Sequence, residues 1–317
     1  MSTQTVLFDT PGPKARSRHR LLTVVGAILA LGLLWVVVGK LKDTGQLDPA
    51  LWTPFVTEPT IWTEYLIPGL INTLKAAILS VVFAGIFGIV FGMGRLSQIK
   101  PLRWACGVIV EFFRAVPVLL MMTFLFYFMA RNLGVPGAAA SFWAVVIGLT
   151  LYNGSVIAEL VRSGVHQLPK GQGEAGLAIG LTPAQTLRSI QLPQALTAML
   201  PALMSQLVVI LKDSALGTAI TYPELIAAAR QLGSRHGNVI AAYLVVGLIF
   251  VLINWLLTIA AGRLERFINR RGHTAAAATT AASTLVQGGG APGEFGANIA
   301  DAVEEEVDDW RRERHHR

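Results

Sequence analysis

Six apolar stretches dominate the chain, at about 21–38, 67–94, 108–130, 142–161, 199–220 and 239–261. Each is near the roughly 20 residues a helix needs to cross the hydrocarbon core of a bilayer. Backbone groups in lipid must be satisfied within the segment, so the spans are expected to be helices. The short alternating segments of a β-barrel do not occur. The pattern therefore predicts an all-α integral membrane protein with about six transmembrane helices. The first stretch is preceded by Lys14, Arg16, Arg18 and Arg20 and followed by Gly39-Lys40-Leu41-Lys42. It is longer than a signal-peptide core and lacks a small-x-small cleavage site, so it reads as an uncleaved first span.

Composition agrees. Of 317 residues, 53% are hydrophobic and only 14% charged, against about 25% charged in soluble domains. The net charge of +7 does not point to nucleic acid, because cytoplasmic loops of membrane proteins collect Lys and Arg. With the basic residues 1–20 placed inside, the inner segments as far as Arg271 hold fourteen Lys and Arg and the outer ones five. That orientation puts residues 162–198 in the cytoplasm. Cys106 stands alone, which excludes a disulfide within the chain or a cysteine metal cluster. Trp35, Trp52, Trp62, Trp104, Trp143 and Trp255 fall near span ends, where indoles anchor at the interface.

The segment 162–198 is too polar to cross a membrane and too regular for a plain linker. Thr182, Pro183 and Gln185 have the spacing of a helix start with a capping box. Glu174–Ile179 predicts a short preceding helix ended by Gly180. Pro193 and Pro201 are expected to break the helix that follows. The result is a helix pair joined tightly at Gly180-Leu181, with Glu174 offering a charge and Ala175, Gly176 and Ala178 a small-residue face. A polar helix pair among apolar spans suits docking to a soluble partner.

Charges inside spans are costly and usually face a partner or cavity. Lys212, Asp213 and Ser214 lie in the fifth span. Glu111 with Arg114, and Glu159 with Arg162, are spaced three apart and so can pair on one helix face. Pro117 is expected to kink the third span. Asn153 and Gln206 are further polar groups in spans. They serve either a translocation path or hydrogen bonding between helices. Gly88-x3-Gly92 permits close helix packing.

Several of these stretches, in order, resemble the permease subunits of type I ABC importers, in the polar amino-acid branch, over roughly 66–265. They are Glu111-Phe112-Phe113-Arg114-Ala115-Val116-Pro117, Glu174-Ala175-Gly176 with Gly180 and Ile190-Gln191-Leu192-Pro193, and Leu211-Lys212-Asp213-Ser214. Gly176 stands where the branch signature has its second alanine, which implies weaker helix propensity there by about 1 kcal/mol. The resemblance implies a permease fold whose coupling helix comprises Glu174, Ala175, Gly176, Gly180, Leu181, Ile190, Leu192 and Pro193. It implies a separate ATPase dimer that uses ATP and Mg, an extracytoplasmic substrate-binding protein, and a second permease subunit, the same or related. The chain itself is then a transport subunit in the cell membrane, not an enzyme, and binds no cofactor. The order of features is similar to actinobacterial glutamate permeases, so glutamate or a related polar amino acid is the implied substrate. Lys212, Asp213, Ser214, Arg114, Asn153 and Gln206 become candidates for its path, since an amino acid carries both charges.

An ion-coupled secondary amino-acid transporter is the alternative, but it would need its own ion site and usually repeated halves. No internal repeat of the spans is visible. The only Gly-Lys pair, Gly39-Lys40, lacks a P-loop context. His166, His236 and His273 read as solvated loop residues. Residues 272–293, rich in Ala, Thr and Gly, are expected to form a linker within a flexible cytoplasmic tail, 272–317. Ile299, Val303, Val307 and Trp310 recur at helical spacing within it.

Overall fold

The computed structural model describes residues 12–287, and among them every regular element is helical. The long helices are α1 (Pro13–Asp43), α4 (Ile67–Arg95), α7 (Gly137–Gln167) and α13 (Val239–Gln287), with α11 (Leu200–Asp213) continued by a 3₁₀ segment, Ser214–Ile220. Short helices α2 (Pro49–Trp52) and α3 (Pro54–Thr57) follow α1, and a π-helical turn, Ile61–Leu66, leads into α4. Among the described residues, five helical stretches are long and apolar enough to span a bilayer: 15–43, 61–95, 137–167, 200–220 and 239–264.

The third expected span, 108–130, is not one helix. It is α5 (Lys100–Ala115) and α6 (Val118–Tyr127), the latter prolonged to Asn132, with a 96° bend between them. Proline is the cause. Val116 before it is held extended (φ −79°, ψ 127°), and Pro117 itself caps α6. The expected kink is thus a full break.

Contacts divide the chain into two compact units, residues 1–74 with 221–249, and 75–220 with 250–317. In the first, α12 (Leu225–His236) packs on the π-helical turn and the start of α4. Asn72 Nδ2 donates to Pro223 O, Tyr222 Oη donates to Asn72 O, and Leu225 N donates to Thr73 Oγ1. Glu224, fully buried, accepts from Ile226 N and Ala227 N at 2.8 Å each and so caps α12. Its burial pushes its carboxyl up to about 7. Arg235 reaches the Tyr65 hydroxyl and lies over its ring.

In the second unit α7 is the axis, with Val145, Val146, Leu149, Ala158 and Val161 almost wholly buried. The glycine pair expected to allow close packing does so. A Cβ at Gly92 would lie 2.9 Å from Val161 Cβ and 3.0 Å from Ala158 O, and one at Gly88 would collide with Ile157. Cys106 is buried. Several boundaries differ from expectation, the first helix for instance running Pro13–Asp43 and not 21–38. The fourth span runs on to Gln167, so the polar loop begins at Leu168 and His166 lies on a helix. Helix α13 extends to Gln287, through most of the segment expected to be a linker, because its alanines favour helix strongly. The remainder of the tail, 288–317, with the helix expected around Ile299–Trp310, lies outside the described residues.

Candidate functional site

The polar loop folds as α8 (Lys170–Ala178), α9 (Pro183–Thr186), a π-helical turn (Leu187–Gln191) and α10 (Leu192–Ala198). The turn between α8 and α9 follows from its residues. Gly180 takes φ +85°, open to glycine at little cost. Leu181 N then donates to Gly176 O and Gly180 N to Leu177 O, which closes α8 in a Schellman motif. Thr182 and Gln185 cap α9 reciprocally: Gln185 N donates to Thr182 Oγ1 and Thr182 N to Gln185 Oε1. The expected helix pair joined at Gly180-Leu181 is present.

Pro193 does not break the helix, contrary to expectation. The wide turn before it supplies Leu192 N with Leu187 O as acceptor, and Pro193 enters the first turn of α10, where no backbone donor is needed. Pro201 sits likewise in the first turn of α11. Gln194 Nε2 donates to Gln172 Oε1 at 3.1 Å, tying α10 to α8. Leu192 and Ala195 are buried, and Gly164 of α7 lies against Ala195 and Met199, so the loop is braced on the main span.

The exposed surface of this loop is not quite the expected one. Glu174, Ala175, Ala178, Gly180 and Pro193 face solvent, and Leu181 and Ile190 are half-buried. Gly176 is buried against α9 and cannot belong to a docking face. In its place stand Leu177, 51% exposed, and Ile179, 75% exposed. Sequence reasoning missed both, though two large apolar residues on a polar loop were the available signal. Beside them a groove of about 480 Å³ is lined by Leu96, His166, Lys170, Glu174, Leu177 and Thr186, among others.

The intramembrane polar groups fall into three sets. Arg95, at the end of α4, lies 2.7 Å from Glu159 Oε2 and 3.0 Å from Glu111 Oε1. Arg114 reaches Glu111 at 3.3 Å and Glu159 at 3.8 Å, and Arg162 reaches Glu159 at 2.5 Å. The two expected pairs therefore exist but merge into one network through Arg95. A second set is Asn153, fully buried, whose Oδ1 accepts from Gln206 Nε2 at 2.6 Å. The third is the end of α11. Lys212 is exposed, Asp213 half-buried, and Ser214 buried with its hydroxyl donating to Leu211 O at 2.6 Å. Among the described residues, neither Lys212 nor Asp213 is in an ion pair with the other or with a third group. The structure brings Asn153 and Gln206 together and leaves Arg114 with the Arg95 network.

Residues 84–270, which include both the loop and the end of α11, match the family described as "Binding-protein-dependent transport system inner membrane component". The chain is 52% identical over 226 residues, 71% of its own length and 82% of the other's, to the "Glutamate transport system permease protein GluD" of Corynebacterium glutamicum. It is 29% identical, over 64% of its length and 91% of the other's, to the "Arginine transport system permease protein ArtQ" of Bacillus subtilis. A solved structure described as an amino acid ABC transporter with histidines superposes at a TM-score of 0.60 with 26% identity, covering 68% of this chain and 97% of that one. The chain belongs to the family of binding-protein-dependent transport system inner membrane components, and is a multi-pass transport subunit, not an enzyme.

Proposed function

We propose that this chain is the permease subunit of an ATP-driven importer for glutamate or a closely related polar amino acid. The supporting observation is its 52% identity to a glutamate permease, set against 29% to an arginine permease. The exposed face of α8 and α9, with Glu174, Leu177 and Ile179, is the docking surface for a cytoplasmic ATPase dimer that binds ATP and Mg. A substrate-binding protein delivers the amino acid from outside, and a second permease, identical or related, completes the path. The excess of Lys and Arg in alternate segments supports cytoplasmic termini.

For the path we assign Lys212, Asp213 and Ser214, with Asn153 and Gln206. Lys212 is exposed and forms no ion pair with a carboxylate of the described residues. Such a cation in a span suits a substrate carboxylate. Arg114 has its charge answered by Glu111 and Glu159, and so braces α5 against α7.

Uptake of labelled glutamate tests the reading. Cells lacking this subunit are expected to lose ATP-dependent, binding-protein-dependent glutamate uptake. Unchanged uptake would overturn the substrate. Uptake in reconstituted vesicles without ATP would overturn the ATP-driven mechanism.

A further inference from the structure

Gly176 is the one place where this chain leaves its signature, and it is also the one buried residue of α8. Its neighbours Ala175, Leu177 and Ala178 are exposed. A methyl group at Gly176 would lie 2.6 Å from Thr186 Cγ2, 2.8 Å from Thr186 Oγ1 and 3.0 Å from Ile190 Cδ1. The isoleucine terminus can swing aside, but Thr186 cannot. It is 3% exposed and β-branched. Its two heavy γ atoms occupy two of the three staggered positions, and both of these face Gly176. Any rotation about χ1 leaves a heavy atom in at least one of them. Thr186 Oγ1 is buried and makes no hydrogen bond, so this position uses the volume of the side chain and not its hydroxyl.

We infer that Gly176 and Thr186 are a size-matched pair that sets the spacing of α8 and α9, which makes Thr186 a positioning residue of the coupling surface. The inference rests on the reading of this loop as the ATPase contact. Carbon atoms in contact prefer roughly 3.5–4.0 Å, so alanine at 176 forces the two helices apart by about 1 Å. The ends of the turn are held by the Gly180 motif and the Thr182 cap. The displacement therefore appears on the exposed face, where Glu174 and Leu177 of α8 stand beside Pro183 of α9 along one groove. A threonine outside the signature thus decides which residue the signature can hold.

The test is coupled transport by the complete importer in proteoliposomes, with permease, ATPase and binding protein present. Gly176→Ala is expected to lower substrate-stimulated uptake about tenfold, from a displacement of about 1 Å. Adding Thr186→Ala or Thr186→Ser restores it, while adding the isosteric Thr186→Val does not. Thermal stability of the purified full chain is read in parallel and is expected to follow the same order, lowered by Gly176→Ala, restored by adding Thr186→Ala or Thr186→Ser and not by adding Thr186→Val. Full uptake by Gly176→Ala, or equal rescue by Thr186→Val and Thr186→Ala, would overturn the pairing. Glu174→Lys is run alongside. Normal transport there defeats the coupling reading, while the order of stabilities still decides the pairing by itself.

Discussion

Arg95 Nη1 lies 2.7 Å from Glu159 Oε2, joining the end of α4 to α7 across 64 residues of sequence. Glu159 is the shared anion, within 4 Å of Arg95, Arg114 and Arg162. Its side chain is 23% exposed and that of Arg95 13%, whereas Glu111 is 58% exposed. Loss of a half-buried anion that serves three cations should cost about 2 kcal/mol, since the cations remain with poor solvation. Loss of an exposed partner should cost under about 1 kcal/mol. Glu159→Gln is therefore expected to lower the denaturation midpoint of the detergent-purified protein clearly, and Glu111→Gln slightly. Equal effects would contradict the central place given to Glu159.

Gly180 at φ +85° should resist substitution. Gly180→Ala is expected to destabilise the protein by about 1 kcal/mol, with Gly180→Asn milder because asparagine tolerates this region. The two variants are compared by denaturant midpoint in the same detergent.

Glu224 gives the fold a pH dependence with a definite sign. Its carboxyl titrates near 7 in the folded chain, against an ordinary 4.5, because burial disfavours the charge. The folded state thus holds a proton that the unfolded state releases between these values. The associated stability is present below about pH 4.5 and is lost as pH rises through about 7, on the order of 3 kcal/mol in all. Wild type should become less stable from pH 5 to pH 8, and Glu224→Gln should show less of that slope. An unchanged slope in the variant would assign the dependence to another group.

Lys212 forms no ion pair with a carboxylate of the described residues. Lys212→Glu is expected to abolish glutamate uptake at normal membrane abundance, and Lys212→Arg to retain part of it. Transport rate and selectivity unaltered by the charge swap would remove this residue from the path.

Much of this was legible along the chain. The apolar runs of roughly 20 residues marked the spans, and Thr182, Gln185 and Gly180 marked both ends of the loop turn through local backbone chemistry. What stayed hidden depends on contacts remote in sequence. Pro117 announces a bend, but nothing local sets it at 96°. The nine residues of α8 are mostly small or polar, so no apolar stripe shows which side faces in. Only the presence of Thr186 and Ile190 turns Gly176 inward and leaves Leu177 and Ile179 exposed. Nothing local marks Arg95 as the partner of Glu159, and the burial of Glu224 depends on α12 folding onto the start of α4.

The most direct measurement of coupling through the α8–α9 loop is ATP hydrolysis and glutamate uptake by the reconstituted importer carrying Glu174→Lys. Glu174 is exposed on α8, so the substitution should leave folding, membrane insertion and Gly176 packing intact. Uptake should fall to background while the protein remains in the membrane, with hydrolysis no longer stimulated by the loaded binding protein. Wild-type uptake and stimulation in this variant would contradict the assignment of α8 and α9 as the surface through which the ATPase drives transport.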